Sequence, residues 1–199
     1  MQSSPRFLEA LNYACRLHSS QRRKGSDVPY VAHLLSVAAL VLEHGGNEDE
    51  AIAALLHDAV EDQGGAATAA EIVNRFGPNV AAIVEGCTDT DQEPKPAWQA
   101  RKEAHLSRLA AASRSVQLVI AADKLHNVRS LIADYRLLGE SLWQLFSGGR
   151  QGTLWYYRAA SQSLSHLHGT PLVAELDRAL DQLDRLAASG RDEPLTQVS

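Results

Sequence analysis

Two imidazoles and two carboxylates stand where a buried helix would ordinarily carry leucine: His33, the adjacent pair His57 and Asp58, and Asp123. Each lies in an apolar run, where an unpaired carboxylate is costly to hold charged and tends to neutralise itself. A shared cation removes that cost. A nitrogen and oxygen donor set without thiolate suits Mn²⁺ or Fe²⁺, and after them Mg²⁺ or Zn²⁺, better than it suits a structural zinc centre. Singly the residues say less, since a lone histidine such as His33 on an apolar face is more often a satisfied core residue and an isolated His-Asp pair is common. Together they define a candidate metal site.

The densest stretch is Ala53-Ala-Leu-Leu-His57-Asp58-Ala-Val-Glu61-Asp62. On a helix His57 lies one turn below Glu61 and Asp58 one turn below Asp62, so four polar groups form a stripe on an otherwise apolar segment. A second stretch, residues 115–132, sets Asp123 among Val116, Val119, Ile120, Leu125, Val128 and Leu131, with Asn127 one turn above it. Between His18 and Gly25, the three consecutive cations Arg22, Arg23 and Lys24 read either as a solvated bend or as a phosphate clamp.

The elements that must position these groups are helices. Apolar periodicity predicts a first helix over residues 4 to 18, with Phe7, Leu8, Leu11, Ala14, Cys15 and Leu17 on one side. A second follows Pro29 and ends at His44-Gly45-Gly46-Asn47; the polar-stripe helix then runs from about residue 48 to 62 and breaks at Gly64-Gly65. Thr68-Ala-Ala-Glu71 has the pattern of a capping box opening a short helix to Phe76, and Gly77-Pro78 resets the chain for another, to about Cys87. Residues 88–98 form the longest loop, either a lid or a plain connection. The next helix, from residue 96 to about 113, offers Arg101, Lys102 and Arg108 to solvent or to a ligand. Further helices are expected over 135–146, 153–167 and 171–188. Trp155-Tyr156-Tyr157 reads as core and interface more readily than as a base-stacking platform. No strand-like alternation survives, so the expected fold is all-α, a single bundle of about nine or ten helices over residues 1–190 with a flexible tail over 191–199.

Composition narrows the partners. A net charge of −5 supplies no global basic field for nucleic acid or anionic membrane, so any anion site is local. The apolar run from Leu34 to Leu42 is too short to cross a bilayer. Cys15 and Cys87, with no CxxC spacing, read as free thiols of a cytoplasmic protein. The Ala/Leu-rich C-terminal helices suit a homodimer or a plain core equally.

The H…HD…D pattern resembles the HD-domain metal-dependent phosphohydrolases. The longer strings His18-x-x-Gln21-Arg-Arg-Lys24, Pro29-Tyr30-x-x-His33, Ala54-Leu-Leu-His57-Asp58-x-Val60-Glu61-Asp62, Phe76-Gly77 and Ala122-Asp123-Lys-Leu-His126-Asn127-x-Arg129 resemble the hydrolase domain of the RelA/SpoT family, in its stand-alone small alarmone hydrolases. The resemblance covers residues 5 to about 165. It implies that His33, His57, Asp58 and Asp123 hold one Mn²⁺, that Glu61 and Asp62 activate or orient the attacking water, that Asn127 lies near metal, water and ribose, and that Arg23 and Lys24 meet the substrate. The implied reaction is hydrolysis of the 3′-pyrophosphate of (p)ppGpp to GDP or GTP by a metal-activated water. The alternatives are an HD phosphohydrolase acting on (p)ppApp, NADPH or a nucleoside monophosphate, and a non-catalytic nucleotide-binding module.

Overall fold

The computed structural model describes residues 4–90 and 96–189. Among them are ten α-helices: α1 (Pro5–Leu17), α2 (Val31–Glu43), α3 (Glu48–Leu56), α4 (Ala59–Asp62), α5 (Gly65–Phe76), α6 (Pro78–Cys87), α7 (Trp98–Ala111), α8 (Arg114–Leu138), α9 (Gly149–Gln162) and α10 (Pro171–Ser189). Two 3₁₀ segments, Gly139–Leu145 and Ser165–Leu167, complete the described elements, and no strand occurs among these residues beyond an isolated bridge between Arg22 and Pro29. The all-α bundle is as expected.

α3 is the centre. Its residues Ala51 to Leu56 are wholly buried, as an all-apolar helix surface requires, and the alanines let α1, α2, α6 and α8 approach closely. Leu34, Ile52, Leu55 and Leu56 each contribute on the order of 1.5–3 kcal/mol by leaving water. The start of α3 is set locally: Asn47 accepts from the Glu50 N–H at 3.0 Å while the Glu50 carboxylate accepts from the Asn47 N–H at 2.7 Å, a complete capping box. α8 is the spine, 25 residues long, with α10 lying along it and α2, α3 and α6 on its other sides.

Several elements depart from the sequence expectation. The polar-stripe helix is interrupted at His57 and Asp58, so α3 and α4 are separate. The His57 ring Nδ1–H donates to the Ala54 carbonyl at 2.9 Å, the acceptor that an uninterrupted helix offers to the Asp58 N–H. α5 opens at Gly65 rather than at Thr68: Gly64, at φ 104°, turns the chain, and the Thr68 hydroxyl donates to the Gln63 carbonyl from inside the helix. α8 absorbs the start of the helix expected at residue 135 and tightens into the 3₁₀ segment after Gly139; the helix expected over 153–167 begins at Gly149 and stops at Gln162. On α1 the buried face is Ala10, Tyr13 and Ala14, and Cys15 is exposed. Residues 91–95 of the expected loop and the tail from residue 190 lie outside the described residues. No described helix is long and apolar enough to cross a membrane.

Candidate metal and catalytic site

α2, the α3–α4 break and α8 bring the four predicted ligands to one point. His33 Nε2 lies 3.3 Å from Asp123 Oδ1 and 3.7 Å from Asp58 Oδ2. His57 Nε2 lies 3.0 Å from Asp58 Oδ2 and 3.7 Å from Asp123 Oδ1. Both imidazoles are buried, at 1% and 4% exposure, and both Nε2 atoms lack a hydrogen-bond partner among the described residues. Orphaned ring nitrogens facing two carboxylates are a donor set for a divalent cation; His33, His57 and Asp58 offer ligand atoms within 4.8 Å of one another, and Asp123 Oδ1 adjoins them at 3.3 Å from His33 Nε2. The break at His57 is what aims that ring: with Nδ1–H committed to Ala54, Nε2 is the nitrogen turned toward the carboxylates.

Neighbours hold each ligand. The Tyr30 hydroxyl donates to Asp58 Oδ2 at 2.5 Å. Burial, then the charge of Asp58, drives the Tyr30 phenol far above its usual range, so it stays a donor. Lys124 donates to Asp123 Oδ2 at 2.7 Å, and the Asn127 amide donates to Asp123 Oδ1. Burial opposes ionisation of both carboxylates, yet His57 holds Asp58, and Lys124 with both histidines holds Asp123, well below the usual carboxylate range. Burial lowers His57, but Asp58 and Asp123 outweigh it and hold the ring well above its usual value. The nest therefore favours positive charge at its centre.

A cavity of about 310 Å³ opens over the nest. Glu61 lines it, accepting from the Asp89 N–H at 3.3 Å and facing Arg101 Nη1 at 3.5 Å. Asp62, one residue on, points to the outer side of α4, where Gln21 Nε2 donates to it at 2.8 Å; it is not among the cavity-lining residues. Arg23 and Lys24 also line the cavity. Arg23 donates to Asn127 Oδ1 at 2.7 Å, and Lys24 sits 5.0 Å from the Phe146 ring centroid. Arg22 turns outward onto the Gln21 carbonyl. All nine residues singled out from the sequence thus lie in or beside one region, eight facing the nest or cavity and Asp62 behind α4.

The sequence did not mark Tyr30, Lys124 or His126 as supports, although they adjoin His33 and Asp123 in the informative strings. His126 Nδ1 lies 2.8 Å from His33 Nδ1. Nor did it mark Asp89 or His105, which have no local signal and reach the cavity only because α6 and α7 converge on it. Burial and the charge of Lys124 push His105 down to about 3, against the opposing pull of Asp89, so that ring is neutral. Of the three adjacent aromatics, Tyr156 and Tyr157 line the cavity while Trp155 is partly exposed.

Residues 10–154 match the family described as HD domain. The chain belongs to that family. Over 172 residues, this HD-domain protein is 38% identical to the guanosine-3′,5′-bis(diphosphate) 3′-pyrophosphohydrolase MESH1 of Xenopus tropicalis, a match covering 85% of this chain and 88% of the relative. It is 35% identical over 180 residues to the protein of the same name from Danio rerio, covering 89% and 91% of the two chains. Among solved structures, its fold is similar to that reported as a metazoan ortholog of SpoT that hydrolyses ppGpp, with TM-score 0.76, 29% identity, and coverage of 92% of this chain and 97% of that one.

Proposed function

We propose that this HD-domain protein is a hydrolase that removes the 3′-pyrophosphate of ppGpp or pppGpp, yielding GDP or GTP and pyrophosphate, with Mn²⁺ held by His33, His57, Asp58 and Asp123. The observation that carries the reading is the convergence of two partnerless buried imidazole nitrogens and two carboxylates at the floor of a cavity that Glu61 also lines. The similarity to proteins named for this reaction gives the substrate. The contiguous core shared by residues from α1 to α10 supports taking residues 1–190 as one hydrolase domain.

A divalent ion, when bound, offsets negative charge on the phosphoryl oxygens and acidifies the attacking water. The chain's own residues do the rest. Glu61 takes the water proton as the water oxygen bonds to the phosphorus attached to the ribose 3′ oxygen. That phosphorus–oxygen bond breaks, the 3′ oxygen gains a proton to become a hydroxyl, and pyrophosphate is released. Arg23 and Lys24 hold the nucleotide, and Asn127 ties Arg23 to the Asp123 carboxylate. Asp62, held by Gln21, fixes the pitch of α4 and so the aim of Glu61.

The test is Mn²⁺-dependent pyrophosphate release from ppGpp, with ppApp and NADPH run in parallel and Asp58→Ala as control. Release from ppGpp that disappears in the variant is expected. Cleavage of another nucleotide but not ppGpp would overturn the substrate, and inactivity of metal-loaded protein on all three would overturn the enzyme reading in favour of a binding module.

A further inference from the structure

α7 carries two adjacent cations, Arg101 and Lys102. Neighbouring positions on a helix point about 100° apart, so adjacent residues do not ordinarily serve one site. Here both side chains turn into the cavity, at 17% and 16% exposure, and meet one carboxylate: Arg101 Nη1 lies 2.9 Å, and Lys102 Nζ 2.7 Å, from Asp89 Oδ2. Asp89 and, beyond it, Glu61 are the carboxylates facing these two cations, and Arg108, donating to the Asp89 carbonyl, adds a third cation beside them.

The wall is joined to the catalytic machinery at both ends. Arg101 faces Glu61 at 3.5 Å. The Lys102 ammonium sits 4.5 Å from the Tyr156 ring centroid, and on the same ring, at 5.3 Å, lies Lys124, which donates to Asp123. The same wall also holds buried polar atoms with no hydrogen-bond partner among the described residues: Arg101 Nε, Asp89 Oδ1 and both ring nitrogens of His105, a side chain only 3% exposed that lines the cavity and whose Nδ1 stands 3.8 Å from Asp89 Oδ1. Buried polar groups left this way ask for a ligand or ordered water.

The wall is also held in place. The Asp89 N–H donates to Glu61, and the Asp89 carbonyl accepts from Arg108 at 2.6 Å. At the start of α7 the Trp98 indole lies against Gly148 and Gly152, where an added Cβ would come within 2.6 and 2.9 Å of it.

From this we infer that Arg101 and Lys102 form a pyrophosphate subsite, with Asp89 as its positioning residue. The assignment rests on the proposed hydrolysis for its direction. Glu61 must reach the attacking water, so the attacked phosphorus lies beside Glu61 and within reach of Arg101. The next phosphoryl group outward then meets Lys102, and Arg23 and Lys24 are left for the nucleoside end. A guanidinium fork beside an ammonium suits tetrahedral oxyanions.

The test is calorimetric binding of inorganic pyrophosphate, and separately of GDP, to the Mn²⁺-loaded protein in excess Mn²⁺, which keeps pyrophosphate from stripping the site. Arg101→Gln and Lys102→Gln are each expected to weaken pyrophosphate about tenfold or more, the scale of one lost charge-assisted hydrogen bond, with GDP changed less than about twofold. Asp89→Asn is expected to weaken pyrophosphate while leaving Mn²⁺ affinity intact. Should the glutamine variants unfold, Arg101→Lys keeps the charge without the fork and is expected to weaken pyrophosphate alone. Weakened GDP with unchanged pyrophosphate, no change in either, or no pyrophosphate binding by the parent protein would each overturn the subsite. Because binding is read without turnover, failure to cleave ppGpp with intact pyrophosphate binding would sink the proposed reaction and leave the subsite standing.

Discussion

His33 and His126 face each other through their Nδ1 atoms, 2.8 Å apart. Such a pair bonds only when one nitrogen carries the hydrogen and the other is bare. A His33 that ligates through Nε2 carries its hydrogen on Nδ1, so His126 is the acceptor and fixes the ring of its neighbour. Burial first, then the nearby His33, pushes His126 down to about 4, which keeps that acceptor bare at neutral pH. His126→Leu is expected to lower Mn²⁺ affinity by about 10- to 100-fold, the usual scale for losing the partner of a metal-bound histidine. Metal titration of the apo protein measures it, and an unchanged dissociation constant would remove the role.

Glu61 and Asp62 are adjacent in sequence but not equivalent in space. Glu61→Gln is expected to cut kcat by about 10²- to 10⁴-fold while metal and nucleotide binding persist. Asp62→Asn, which keeps an oxygen to accept the Gln21 amide, is expected to cost far less. Equal losses from both, in single-turnover assays, would contradict the placement of Asp62 behind α4.

Arg23 reaches the nucleotide side of the cavity already tethered to Asn127. Arg23→Ala is expected chiefly to raise KM, because a contact made equally in ground and transition states is lost without changing the chemical step. A fall in kcat at unchanged KM would instead put Arg23 on the reacting phosphoryl group.

Four buried or half-buried ligand groups without a cation are an electrostatic liability, so metal should stabilise the fold. At a free Mn²⁺ concentration of 100 times its dissociation constant, linkage gives about 2.7 kcal/mol. Chemical denaturation with and without Mn²⁺ reads this directly, and Asp123→Asn is expected to abolish the difference. Chelation should likewise stop turnover, and added Mn²⁺ should restore it.

Asp89 gives a pH signature. Burial would raise its pKa, but Lys102 outweighs burial, with Arg101 adding to it, and the carboxyl sits below its ordinary value of 3.8. A depressed folded-state pKa contributes stability that is complete above the unfolded value and is lost as pH falls through the folded one. Wild type is therefore expected to exceed Asp89→Asn in stability at neutral pH, with the gap closing progressively below pH 3.8. A gap that widened in acid would reverse the sign of the interaction.

The parts of the site legible in the sequence are those whose residue type conflicts with their local surroundings. His33, His57, Asp58 and Asp123 stand out because apolar helices do not carry imidazoles and carboxylates without cause. The helix count and the boundaries of α2 and α6 followed from glycine, proline and capping residues, which act over a single turn. The interruption within the polar-stripe helix did not. His57 and Asp58 continue a helical pattern, and the break depends on the ring of His57 taking the Ala54 carbonyl, a choice made between two acceptable donors. The length of α8 departs from the sequence expectation for a similar reason, since Gly139, at φ 57°, is what stops it.

By itself the amino-acid order determined an all-helical chain and marked four candidate ligands, because periodicity and burial cost act residue by residue. Tertiary structure alone decided that Glu61 faces the cavity and Asp62 does not, that Arg23 rather than Arg22 lines the wall, and that Asp89, just after α6, meets Arg101 and Lys102 of α7 in the same cavity. Those outcomes depend on the rotation and crossing of helices distant in sequence. Packing of many side chains sets such rotations collectively, and no short stretch of sequence encodes them.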